Sequence, residues 1–213
     1  MNTRPRYTPY IDVHLDNIVH NLGQITKTVS SQTRILAVVK DNGYGCGADY
    51  VARKLHAAGV DFFAVASAPQ ARHLRDTGIS SPILIFGPCN DNDCRWAAQS
   101  DVHLSCNDPD DIERWAALKT PLSFHLNCDT RMGRLGVRPD QLSSLIPRLA
   151  SNPQLHCTGI YTHFANADEP GTQTVDEQMK KFDSMRAALH TASIAPDTVH
   201  CANTAACARF PLR

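Results

Sequence analysis

Short apolar runs punctuate the chain from Ile35 onward, and longer stretches of mixed character separate them. The runs are ILAVV (35–39), FFAVA (62–66), ILIFG (83–87), VHLS (102–105), LSFHLN (122–127), CTGIYTH (157–163) and VHCAN (199–203). Their length and apolar character predict seven strands. The amphipathic stretches between them predict helices over 48–58, 68–77, 91–99, 109–118, 139–150 and 173–192, and residues 16–29 add one before the first run. Gly59 and Gly78 close two of these helices, and Asp108-Pro109 opens a third, an acceptor side chain followed by proline. Strand and helix alternating in this way predict a parallel sheet covered by helices, either an open doubly wound sheet or a (β/α) barrel. Seven strands are visible, whereas a closed barrel takes eight.

Composition narrows the class of partner. The chain of 213 residues carries 21 Lys+Arg and 21 Asp+Glu, a formal charge of zero, so no excess of positive charge points to nucleic acid or an acidic membrane surface. A small molecule is the expected ligand. The 8 cysteines are scattered singly, without C-x-x-C or zinc-finger spacing, and read as reduced thiols. The opening MNTRPRYTPYIDVHL has no apolar h-region, and no run approaches the roughly 20 residues that span a bilayer. A soluble, cytoplasmic chain of one domain is expected.

The first run ends on a lysine, in AVVKDNGYGCGA (37–48). Lys40 has three readings. A surface lysine would lay its stem over the strand end and keep its ammonium in water. A phosphate-binding loop fails, because GYGCG matches neither G-x-x-x-x-G-K-[ST] nor G-x-G-x-x-G. The third is a Schiff-base lysine, placed at the C-terminal end of a strand, where (β/α) barrels put their chemistry. The glycines after it allow close backbone approach, and Tyr44 offers a hydroxyl. Three more strand ends carry polar clusters: HLNCDTRMGRLGV (125–137), GIYTHFANADEP (159–170) and HCANTAACARFP (200–211). Four such ends in an alternating fold point to one shared mouth.

These four motifs, in this order, resemble those of the alanine racemases, pyridoxal 5'-phosphate enzymes that interconvert L- and D-alanine. The resemblance covers almost the whole chain. It implies a TIM-type (β/α)8 barrel truncated after the seventh strand over residues 15–213, with residues 1–14 as an N-terminal strand that pairs with a C-terminal β domain. By the same resemblance Lys40 holds the cofactor as an aldimine and serves as the base on one face of the substrate's α-carbon. Tyr44 contacts the cofactor phosphate, and Asn203 and Thr204 match an Asn-Ser pair whose hydroxyl binds that phosphate. Arg134 stands near the cofactor's phenolic oxygen and the substrate carboxylate, where a planar fork of donors suits an oxyanion. His163 lies beside the cofactor, and His200 is a possible neighbour. Arg131, His125, His156 and the cysteines are read as structural.

Two departures shape the expected activity. Asn127 stands where many members have a carbamylated lysine that positions the equivalent of Arg134, so its amide oxygen or a bound anion such as chloride would take that role. The chain also stops at RFPLR, before the family's eighth strand, the arginine set against the pyridine nitrogen, and the β domain whose tyrosine, in the partner subunit, serves the other face of the α-carbon. An N-terminal portion of a homodimeric alanine racemase supplying D-alanine for peptidoglycan is expected, with weak cofactor binding and little activity alone. A stand-alone barrel that binds the cofactor without turnover, and a serine or broad-specificity racemase, are the alternatives.

Overall fold

The structure, a computed structural model, describes residues 9–171 and 173–210. Seven strands form one sheet: β1 (Leu36–Val38), β2 (Phe62–Val65), β3 (Ile83–Ile85), β4 (Val102–Cys106), β5 (Leu122–Cys128), β6 (Leu155–Thr162) and β7 (Thr198–His200). Their order in space is their order in the chain, and every neighbouring pair is parallel. This is the barrel sequence of strands rather than the reversed order of a doubly wound sheet. It is open between β1 and β7, the two edges.

The helices that carry the chain between strands are α3 (Ala48–Ala57), α4 (Ala68–Asp76), α5 (Asp91–Ala98), α6 (Asp110–Ala117), α7 (Leu142–Ala150) and α8 (Gln173–Thr191). The short turn α2 (Lys40–Tyr44) precedes α3, α1 (Leu15–Thr28) precedes β1, and α9 (Thr204–Arg209) follows β7. Helix α1 packs against both α3 and α9, so the helices flanking the opening touch each other.

Two cores explain why the strands read as apolar runs. In β2, Phe63 and Val65 join the large core between sheet and helices, while Phe62 and Ala64 face the interior with Leu84 and Tyr161. A strand buried on both faces has no polar side to show, so it appears as an unbroken run. Arg75 ties the strand entrances together at the other end, donating to the carbonyls of Ser100 at 2.9 Å, Ile79 at 2.6 Å, Ser81 at 2.7 Å and Asp101 at 2.8 Å.

Strand and helix bounds fall within about two residues of expectation at most ends, as capping geometry allows. Three places differ by more than a boundary. The first run gives way at Lys40 to α2. The helix expected over 139–150 opens with a 3-10 turn, Pro139–Gln141, before α7 begins. The last run stops at His200 because Asn203 caps α9, a helix not anticipated. The expected N-terminal strand falls largely on residues 1–8, which lie outside the described residues; residues 9–14 form neither helix nor strand. All 8 cysteines are free thiols. No helix among the described residues is long and apolar enough to cross a membrane.

Candidate functional site

The chain leaves β1 into a left-handed turn. Asp41, Asn42, Gly43 and Tyr44 have φ of 53, 56, 63 and 55°, a run that costs L-residues roughly 1–2 kcal/mol each, least for Asp and Asn. Local bonds hold it: Gly43 N donates to Val39 O at 3.0 Å, Gly45 N to Asp41 O at 3.1 Å and Gly47 N to Asn42 O at 2.8 Å. The Asn42 Oδ1 accepts the first amide of α3, Ala48 N, at 3.0 Å. Gly43 is buried, and a Cβ there would lie 3.3 Å from the Ala48 backbone. The turn leaves Lys40 half-buried and Tyr44 64% exposed, with the Lys40 ammonium 5.8 Å from the centre of the Tyr44 ring.

Arg134 rides on a loop clipped to the end of β5. Asp129 N donates to Val137 O at 3.0 Å and Val137 N to Asn127 O at 2.8 Å, while Asp129 Oδ1 accepts the amides of Arg131 at 3.1 Å and Gly133 at 3.0 Å. His163 follows the last residue of β6. Burial lowers its pKa first, and the positive charges of Arg134 and Lys40 lower it further. The imidazole is therefore neutral near pH 7, and both charges lie within electrostatic reach of this ring. Among the described residues no carboxylate pairs with Lys40 or Arg134. Two uncompensated cations beside a neutral donor suit a ligand with more than one anionic group. A surface depression lies elsewhere, beneath β5 and β6 against the ends of α7 and α8, and none of Lys40, Arg134 and His163 lines it.

Asn203 and Thr204 sit past the end of β7. The Asn203 Oδ1 accepts Ala206 N at 2.9 Å, so that oxygen is spent capping α9, while Thr204 opens the helix with its side chain exposed. His200 lies inside the barrel, its Nε2 2.9 Å from His125 Nδ1 and its ring stacked on Tyr161 at 4.7 Å and 14°. Arg131 pairs with Glu177 of α8 at 3.0 Å. Asn127 Nδ2 donates to Asn107 Oδ1 at 2.8 Å, and Asn107 in turn donates to Phe86 O at 2.9 Å. This fixes the amide and leaves the Asn127 Oδ1 as an acceptor.

Several supporting residues had no signal in the sequence. Tyr161 donates to Ser105 Oγ at 3.0 Å, and Asn107 orients Asn127, yet each pair joins residues well separated in the chain. Gln178 hides in the periodic pattern of α8 although it is fully buried.

Residues 13–213 match the family model described as alanine racemase, N-terminal domain. Two curated relatives are alanine racemase of Geobacillus stearothermophilus, 39% identical over 208 residues, and alanine racemase 2 of Bacillus subtilis strain 168, 38% identical over 209. The alignments take in 96% and 95% of this chain and 53% of each relative, so the chain spans about half their length. Among solved structures, alanine racemase from Bacillus anthracis with bound L-Ala-P superposes with a TM-score of 0.87 at 35% identity, over 95% of this chain and 55% of that one. The Corynebacterium glutamicum alanine racemase gives 0.87 at 28%, over 93% and 57%. A match that runs through every strand of the sheet and all four strand-end motifs places this chain in the alanine racemase family, as its N-terminal domain.

Proposed function

We propose that this chain is the pyridoxal 5'-phosphate-binding portion of an alanine racemase that interconverts L- and D-alanine. The observation that carries the reading is the half-buried Lys40 just past β1, whose charge and that of Arg134 both act on a neutral His163, with no carboxylate among the described residues paired to either cation. The donor set fits the cofactor, which has a phosphate, a phenolic oxygen and an aldehyde. When bound, the cofactor supplies the electron sink that stabilises negative charge on the substrate's α-carbon.

The chain's own residues bind, orient and move a proton. Lys40 Nζ anchors the aldehyde and moves the α-proton on one face of alanine. The hydroxyls of Tyr44 and Thr204, with Asn203 shaping the turn beside them, hold the phosphate. Arg134 holds the substrate carboxylate and the cofactor's phenolic oxygen in one fork of donors. His163 packs beside the cofactor as a neutral group, so it adds a hydrogen bond without repelling the two cations. Asn127 Oδ1 is the acceptor that steadies Arg134.

The proton on the other face belongs to a group this chain does not provide by the family pattern, a tyrosine from a partner subunit in a homodimer of the longer enzyme. The reading places the protein in the cytoplasm, with D-alanine going to peptidoglycan. A barrel that binds the cofactor without turnover is the second reading.

Titration with pyridoxal 5'-phosphate tests the first step. The purified chain is expected to bind weakly and to alter the cofactor's visible absorbance, and Lys40→Ala to abolish that change. An equal change in both proteins would refute the role of Lys40. Racemisation of alanine by these 213 residues is expected to fall 10²–10⁴-fold or more below that of a full-length racemase, the usual cost of a missing proton-transfer group. Turnover near the full-length rate would overturn that expectation, and turnover of serine in preference to alanine would change the substrate.

A further inference from the structure

Gln178 of α8 is completely buried. An amide in an apolar interior is costly unless every polar atom is paired, and here the pairing is complete. Its Oε1 accepts Ala165 N at 3.0 Å, which fixes the orientation of the amide. Its Nε2 then donates one proton to Thr130 Oγ1 at 2.9 Å and the other to the His163 carbonyl at 3.1 Å. Thr130 Oγ1 lies 2.7 Å from Thr162 Oγ1, and Thr162 Oγ1 lies 2.8 Å from the Cys128 carbonyl. A carbonyl only accepts, so the Thr162 hydroxyl donates to Cys128. Thr130 must therefore donate to Thr162. Every proton in the chain of bonds runs one way, from Gln178 through Thr130 and Thr162 to the end of β5.

The bonds join three elements at a particular place. Cys128 ends β5, Thr130 begins the loop that carries Arg134, Thr162 ends β6, and His163 and Ala165 follow it. One helix side chain thus grips the two strand tips that bear the arginine and histidine of the mouth. A leucine would fill the same volume without the cost of burying an amide, so what the paired amide adds is a fixed arrangement of the groups it bonds. The neighbouring residue gives a contrast: Glu177 holds the same loop through Arg131, but that pair is exposed to solvent.

We propose that Gln178 is a positioning residue of the cofactor mouth, setting the placement of His163 against the Arg134 loop through the hydroxyls of Thr130 and Thr162. The proposal rests on the reading of this mouth as the cofactor site, but it concerns a geometry present in the chain without ligand.

The test is the titration of the His163 imidazole followed by NMR in the ligand-free chain, for wild type, Gln178→Met, Thr130→Val, Thr130→Ser and Glu177→Gln. The two charges facing this ring are Arg134 and Lys40. When the loops separate, the ring gains water and loses part of their repulsion, so its midpoint rises toward the ordinary imidazole value in Gln178→Met and Thr130→Val. Thr130→Ser keeps the hydroxyl and is expected to titrate as wild type, as is Glu177→Gln. Affinity for pyridoxal 5'-phosphate should fall roughly tenfold in the first two variants, since small displacements of a site act on that scale or above. A lower melting temperature with an unmoved His163 midpoint in Gln178→Met and Thr130→Val would show that the network only stabilises the fold, and the proposal would fail. If Gln178→Met does not fold, Thr130→Val, which loses one hydroxyl at constant shape, decides alone. Should wild type bind no cofactor, the proposed function falls, while the imidazole titration still decides the role of Gln178.

Discussion

Gly159 shows how tightly single residues set the barrel interior. The ladder between β5 and β6 shifts register at Phe124/His125, so that Thr158 is left over and Gly159 stands opposite His125. A Cβ on Gly159 would come within 2.4 Å of the His125 ring, and His125 has no room to retreat because His103, His200 and Phe62 surround it. Gly159→Ala is expected to cost about 3 kcal/mol, the upper range for overpacking a well-filled core, read as a shift of the urea midpoint. Adding His125→Ala should recover part of the loss, a coupling that a double-mutant cycle would measure. Equal costs for Gly159→Ala with and without His125 would mean that the glycine is needed for some other reason.

At the level of elements, α2 concentrates the strain of the fold next to its chemistry. Asn42 holds φ at 56° and gives its Oδ1 to Ala48 N, combining a tolerance of the left-handed region with a helix cap. Asn42→Ala loses both and is expected to destabilise by about 2 kcal/mol, while Asn42→Gly, which relieves the backbone and loses only the cap, should cost less. The reverse order in thermal melts would show that the conformation of this turn is not what the asparagine serves. The sequence made the alternation of strand and helix legible because inner strands such as β2 and β3 are buried on both faces and helices such as α3 and α4 on one. It also marked the strand ends that carry Lys40, Arg134, His163 and Thr204. It did not show the left-handed turn, since KDNGY has no helical or strand periodicity, nor α9, whose cap at Asn203 lay inside what reads as a strand. The Gln178, Thr130 and Thr162 network was invisible for a different reason: its partners are 13 to 48 residues apart, and a hydroxyl or amide in an apolar pattern looks like an ordinary surface position until the packing is known.

Over the whole molecule, two features of the open barrel set its behaviour with pH and concentration. The interior holds a column of imidazoles, with His103 Nδ1 3.3 Å from His125 Nε2 and His125 Nδ1 2.9 Å from His200 Nε2. Burial depresses all three; His125 falls to about 2, helped by the two neighbouring rings, and His200 to about 4. The unfolded chain binds these protons near pH 6.5 and the folded chain does not, so stability is intact above that value and falls as pH drops toward 4. Each proton contributes a slope of about 1.4 kcal/mol per pH unit. Urea midpoints at pH 7.5, 6.5 and 5.5 should decline below 6.5, where the carboxylates remain ionised, and a flat profile would show that the column is not buried and neutral. The second feature is the pair of edges, β1 and β7, which have no strand partner on their outer sides among the described residues and whose backbone groups can template another strand. Val199, in the middle of β7 and 44% exposed, adds apolar surface to one of them. Concentration-dependent association of the purified chain is therefore expected by light scattering, and Val199→Lys should reduce it with a change in stability within about 0.5 kcal/mol, as for other exposed sites. Charge on an edge strand is a known guard against edge-to-edge pairing, so unchanged association in Val199→Lys would direct attention to β1, the other edge.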